Sequence, residues 1–129
     1  MREWYADFLE ACNRHDLAAI RSFIDPAVRR AHLPAGVEAW TADLADLFHA
    51  FPDWRWRRIQ LVIEEDRIAA HLRASGTHLG AFRGIAPTRR HANVAEFAFY
   101  RVTKGRITEF SGSADNVELL AQLTDDARH

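Results

Sequence analysis

The sequence is poor in sulfur. One cysteine, Cys12, among 129 residues excludes an internal disulfide framework and a cluster of thiolate metal ligands. It also lacks an excess of either charge. Seventeen Lys and Arg stand against 18 Asp and Glu, for a formal net charge of −1 with both signs scattered. No stretch carries a field able to gather nucleic acid or anionic lipid, so neither a nucleic-acid nor a membrane partner is expected. Long apolar runs are missing as well. The opening Met1-Arg2-Glu3-Trp4-Tyr5 runs into acidic residues at 7 and 10, which suits neither a signal peptide nor a membrane span, and the expected compartment is the cytoplasm. There is no internal repeat, no G-x-S-x-G elbow, no G-x-x-x-x-G-K-[ST] phosphate loop, no G-x-G-x-x-G and no H-E-x-x-H. Those absences remove most hydrolase, kinase and dehydrogenase readings. The seven histidines include no pair at the i, i+4 ligand spacing, and neither a metal nor a cofactor is expected.

What is present is an ordinary globular composition, 48% hydrophobic and 27% charged, at the length of one domain over residues 1–129. Trp4, Phe8, Ala11 and His15 recur at helical spacing, predicting a helix to about residue 15. Asp16 can cap a second helix over 17–24, closed by Asp25-Pro26 because the residue before proline is driven out of helical geometry. A strand follows over 28–32. A third helical stripe runs through Val37, Trp40, Leu44, Leu47, Phe48 and Phe51 and stops at Pro52. From Trp54 the period changes: runs over 54–63 and 68–78 read as a hairpin around Glu64-Glu65-Asp66-Arg67, and runs over 91–102 and 106–115 turn at Lys104-Gly105. A last amphipathic segment carries Val117, Leu120 and Leu123. Helices followed by an antiparallel meander predict an α+β fold with no parallel sheet. A curved sheet with helices on one side makes a concave face, and a concave face left partly unfilled becomes a ligand pocket.

Several side chains could carry chemistry there. Asp115 opens the last segment, and Asp115-Asn116-Val117-Glu118 has the form of a capping box, which by spacing alone is its better reading. The alternative is a carboxylate at the sheet-to-helix junction facing a dry pocket. His78 ends a strand on the face of Ala74 and Leu72, where a hydrogen-bonded core imidazole is the commoner role. Glu96 interrupts an apolar run and reads as the exposed face of its strand, with a second pocket carboxylate as the alternative. Trp40 and Phe97 read as core, with cavity wall as the alternative. Cys12 lies on an apolar stripe and reads as an inert buried thiol. The doublets Arg29-Arg30, Arg57-Arg58 and Arg89-Arg90 read as solvated faces.

Motifs add to this. Gly76-Thr77-His78, then Gly80 to Thr88, then Arg101 to Asp115, then Leu119-Leu120-Ala121-Gln122-Leu123 match G-T-H, G-x-F-x-G-x-x-P-T, R-x-x-x-G-[KR]-I-x-E-x-W-x-x-x-D and L-L-x-Q-L. On these residues the chain resembles the SnoaL-like polyketide cyclases of the nuclear transport factor 2-like superfamily, over nearly its whole length. Ser111 stands where that family usually has tryptophan, and His71 where it often has arginine. The resemblance implies a cone-shaped, curved antiparallel sheet wrapped around N-terminal helices. It implies a cofactor-independent, aldol-type cyclisation of a small, hydrophobic, carbonyl-rich substrate such as a polyketide. Asp115 would be the general acid/base with His78 beside it, and His32, Trp40, Phe97, Ser111 and Glu96 would line the substrate site. A homodimer paired through the outer sheet face is also implied. The open alternatives are an isomerase, hydrolase or hydroxylase-component activity on a similar skeleton, or a non-catalytic ligand-binding or dimerisation domain.

Overall fold

The computed structural model describes residues 1–124; the end of the domain read over 1–129 lies outside the described residues. Its elements are α1 (Arg2–Asn13), α2 (Leu17–Ser22), β1 (Ile24–Arg29), α3 (Val37–Ala50), β2 (Arg55–Glu64), β3 (Arg67–Thr77), β4 (His91–Thr103), β5 (Arg106–Ala114) and α4 (Asn116–Thr124). The five strands form one curled sheet in the order β1-β5-β4-β3-β2. Register breaks at Arg58/Gln60 and at Arg101/Val102 insert the extra residues that bend it. The α+β architecture is the expected one.

One pairing is not. β1 runs parallel to β5, with Ile24 opposite Ile107 and Arg29 opposite Glu109, so the meander carries a parallel edge. The strand starts at Ile24 instead of residue 28 and takes in Pro26. A proline is tolerated there because an edge strand has one side with no ladder bond to donate.

The helices follow their stripes. Tyr5, Phe8, Ala11 and Cys12 of α1 are buried, and Asp16 caps α2 by accepting from Ala19 N–H at 3.1 Å. In α4 the buried pair is Leu119 and Leu123, whereas Val117 is 83% exposed, so the inward stripe is offset from the one read in the sequence. In α3, Val37 and Trp40 are buried but Leu44, Leu47 and Phe48 are only half-buried. Leu44 and Leu47 face a space that the core does not fill, while Phe48 stacks on His15 at 3.7 Å.

A connection over residues 78–90 closes one end of that space. Leu79 and Gly80 donate their N–H groups to the Ala50 carbonyl at 2.9 and 3.0 Å, joining the connection to the end of α3. A side chain at position 80 would place its Cβ 2.5 Å from the His49 carbonyl oxygen, so the close approach requires glycine. The tip is a tight turn in which Phe82 and Ile85 exchange backbone bonds, with Arg83 and Gly84 at positive φ.

Candidate active site

The unfilled space is a cavity of about 640 Å³ between α1, α3 and the concave face of the sheet, within the range that holds small organic ligands. Its walls are mostly aromatic and aliphatic. The inward face of β4 alternates Ala92, Val94, Glu96, Ala98, Tyr100 and Val102, of which all but Glu96 are buried apolar or phenolic groups. Glu96 therefore points into the cavity, which corrects the reading of an exposed strand face.

The surroundings of Glu96 are built from three elements. Asn13, at the end of α1, takes the Trp56 N–H at 2.8 Å and donates to the Trp56 carbonyl at 2.9 Å, which fixes the start of β2 against the helix. Trp56, so placed, donates its Nε1–H to Glu96 Oε1 at 3.0 Å. Protein surrounds the carboxyl on nearly all sides except the cavity. Burial pushes its pKa up to about 7, with the Trp56 bond pulling the other way. Cys12, Tyr5 and Tyr100 feel the Glu96 charge. All three are kept neutral near pH 7, since burial lifts the thiol to about 12 and both phenols above their usual value. The two phenol oxygens lie 3.1 Å apart, and Tyr100 faces the cavity.

The residues singled out in the sequence separate in space. Trp40 lines the cavity with its ring 4.4 Å from Phe110, and Glu96 lines it too. Asp115 does not. It is exposed, and its Oδ1 accepts from Glu118 N–H at 3.1 Å, the capping bond of α4, although its neighbours Ala114 and Asn116 reach the cavity. His78 is fully buried outside the lining, 5.4 Å from the Phe51 ring. Its Nδ1 accepts from Thr88 N–H at 3.2 Å and meets Thr88 Oγ1 at 3.0 Å, so the proton sits on Nε2. Desolvation lowers its pKa against a backbone interaction with the Gly80 carbonyl, and the neutral ring fastens the 78–90 connection. His32 is exposed in the turn between Arg30 and Leu33, away from the lining. Phe97 is 62% exposed on the outer face, stacked on His71 at 4.6 Å, because odd-numbered β4 residues point away from the cavity. Ser111 is exposed opposite Phe99 on that same outer face, outside the lining.

Three contributors escaped the sequence reading: Trp56, Tyr100 and Arg30. Arg30 belongs to a doublet whose sequence reads as a solvated face, yet it is 4% exposed and lines the cavity while Arg29 pairs with Glu109 outside. Among the described residues no group of three or more His, Cys, Asp or Glu is placed to hold a metal ion, and no helix is long and apolar enough to cross a membrane.

Comparison with known proteins places this geometry. The family profile described as "SnoaL-like polyketide cyclase" matches residues 1–123. A search of curated proteins finds no match. Among solved structures, IdmH from Streptomyces antibioticus, a "putative polyketide cyclase", is 31% identical with a TM-score of 0.84, over 95% of this chain and 96% of that one. A "putative hydroxylase", AclR from Streptomyces galilaeus, is 23% identical with a TM-score of 0.86, over 95% of this chain and 79% of that one. The "putative SnoaL-like polyketide cyclase" from Jannaschia sp. CCS1 shares the fold at 19% identity and a TM-score of 0.86, over 95% and 90% of the two chains.

Proposed function

The chain belongs to the SnoaL-like polyketide cyclase family, and from that premise we propose that its cavity closes a ring in a flat, carbonyl-rich polyketide by a cofactor-independent, aldol-type step, with Glu96 in place of Asp115 as the proton carrier. The observation that carries this reading is the position of the Glu96 carboxyl. It faces an aromatic cavity of substrate size and is held at one oxygen by Trp56. Asp115 is bonded to its own helix at the surface.

In the proposed step the Glu96 carboxylate takes a proton from a carbon flanked by carbonyls. The resulting enolate carbon attacks a ketone carbon of the same chain, a C–C bond forms, and the ketone π pair moves to oxygen. The carboxylic acid then returns the proton to that alkoxide as a hydroxyl. The flanking carbonyls delocalise the charge. The protein supplies confinement, dryness and one carboxyl whose proton affinity lies near neutrality.

The test is to incubate the protein with aromatic poly-β-ketone esters in D₂O and follow both ring closure and loss of the activated methylene signal by NMR. Exchange with cyclised product is the expected result. Binding without exchange or closure points to a binding domain instead, and a hydrolysed or hydroxylated product to another reaction on the same skeleton.

We also propose that two copies pair through the outer sheet face. It presents Phe97 at 62% and Phe99 at 47% exposure beside His71, an apolar strip that water disfavours. Sedimentation should show a dimer for the wild type and a monomer for Phe97→Arg. A monomeric wild type at tens of micromolar removes the pairing.

A further inference from the structure

We propose that Arg30 forms an anion-recognising end of the cavity, taking a carboxylate or enolate oxygen of the substrate and so setting which way a flat molecule lies relative to Glu96. The inference rests on the reading of the cavity as a polyketide site and names the chemistry of one end of that ligand.

Four observations support it. Arg30 is 4% exposed and lines the cavity. Its Nη1 donates to the Pro34 carbonyl at 3.1 Å and its Nη2 to Asp43 Oδ2 at 2.6 Å, but the buried Nε–H has no partner. A guanidinium donates strongly to anionic oxygens, and with Nη1 and Nη2 both engaged the Nε–H is the donor left for a ligand. Asp43 offsets the charge incompletely, because its side chain is 58% exposed and solvated.

A clamp on the 30–34 turn would account for the bonds to Pro34 and Asp43, and not for burying the unpaired Nε–H. Trp54, which also lines the cavity, has a second buried and unpaired donor at Nε1. Two residues of the lining thus carry buried donors with no protein acceptor, which fits an oxygen-rich ligand better than a hydrocarbon.

The geometry between the two ends is an aromatic path. The Arg30 guanidinium lies 5.9 Å from the Trp40 ring, Trp40 lies 4.4 Å from Phe110, and Phe110 lies 5.2 Å from Tyr100. Tyr100 shares the inward face of β4 with Glu96 four residues earlier, about 13 Å along the strand. A flat polycyclic or folded polyketide body spans this distance with its charged oxygen at Arg30 and an activated carbon toward Glu96.

Binding alone tests the proposal. Trp40, Trp54 and Trp56 line the cavity and report occupancy by fluorescence quenching. The probes are anthraquinone-2-carboxylate and its methyl ester, which share a ring body and differ in charge. The wild type should bind the carboxylate roughly ten- to hundredfold more tightly than the ester, the range expected of a charge-assisted contact. Arg30→Met should abolish that preference and leave ester affinity within about twofold, while Glu96→Gln should keep it. Asp43→Asn, which removes the competing negative charge while its amide oxygen can still accept from Nη2, should enlarge it, whereas a merely structural pair would lose binding of both probes. The proposal is overturned if the wild type shows no preference or binds neither probe, or if Arg30→Met retains the preference. Should Arg30→Met fail to fold, an unchanged preference in Asp43→Asn overturns it equally. A retained preference without ring closure in D₂O would sink the aldol reading and leave this one standing.

Discussion

Glu96→Gln is expected to lower kcat for ring closure by roughly 10²–10⁴-fold, the usual contribution of a positioned acid/base group, with KM changed by less than about threefold. Glutamine keeps the size of the side chain, and its amide oxygen can still accept from Trp56 Nε1, so the cavity and substrate geometry survive while the proton carrier is removed. The comparison variant is Asp115→Asn. Its carboxylate caps α4 at the surface, so its loss should cost at most about 1 kcal/mol of stability and leave turnover near wild type. The pH profile gives an independent readout. A base must be ionised to begin, so kcat/KM should rise with pH around a midpoint near 7, where burial has pushed Glu96, and the limb should vanish from the residual activity of Glu96→Gln. Wild-type turnover by Glu96→Gln, or an equal loss in Asp115→Asn, would return the proton to the helix-capping position.

How far the sequence could be read follows from which features have a local cause. The helices and hairpins do: Asp16 caps α2, Pro26 prevents that helix from continuing, and Lys104 and Gly105 supply the positive φ values the β4–β5 turn requires. The parallel partnership of β1 with β5 does not, because residues some 80 apart meet there and no spacing within either strand encodes the other. The inward face of β4 was obscured for a related reason. Phe97 and Phe99 are larger than Ala98, so bulk suggests that the odd-numbered residues face the core. Burial shows the reverse, with the small residue inside and the large ones outside. Once the alternation is counted from Val94, Glu96 falls inside without any other information. At Asp115 the four-residue capping pattern was the sufficient signal, and the resemblance to the family drew the side chain inward against it. Arg30 had no such signal: a doublet on a strand end places one member on each face, and only the fold decides which one is buried.

The folded state should become less stable relative to Glu96→Gln as pH rises from about 4.5 to 7. The folded protein holds the Glu96 proton up to about pH 7, whereas the unfolded chain releases it near the ordinary 4.5. Between those values the native state binds more protons than the unfolded state, so unfolding free energy falls with rising pH, and above 7 the deficit is constant. At about 1.4 kcal/mol per tenfold in proton affinity, the difference is about 3 kcal/mol. Two other groups slope the opposite way in wild type. His78 is held neutral, so it disfavours the folded state as pH falls below the ordinary histidine value. For Asp53, burial would raise the pKa, but bonds from Thr77 N–H and Oγ1–H outweigh it, so its contribution is lost only in stronger acid. Both contributions are common to wild type and Glu96→Gln and cancel in their difference, which is therefore the quantity to measure by urea unfolding at pH 5, 6, 7 and 8. The variant should gain about 2.5 kcal/mol over wild type between the first and last of these, since part of the window lies below pH 5. A pH-independent difference would mean that Glu96 is already ionised at pH 5, and a carboxylate so easily ionised is a weak base for the carbon acid it is proposed to deprotonate.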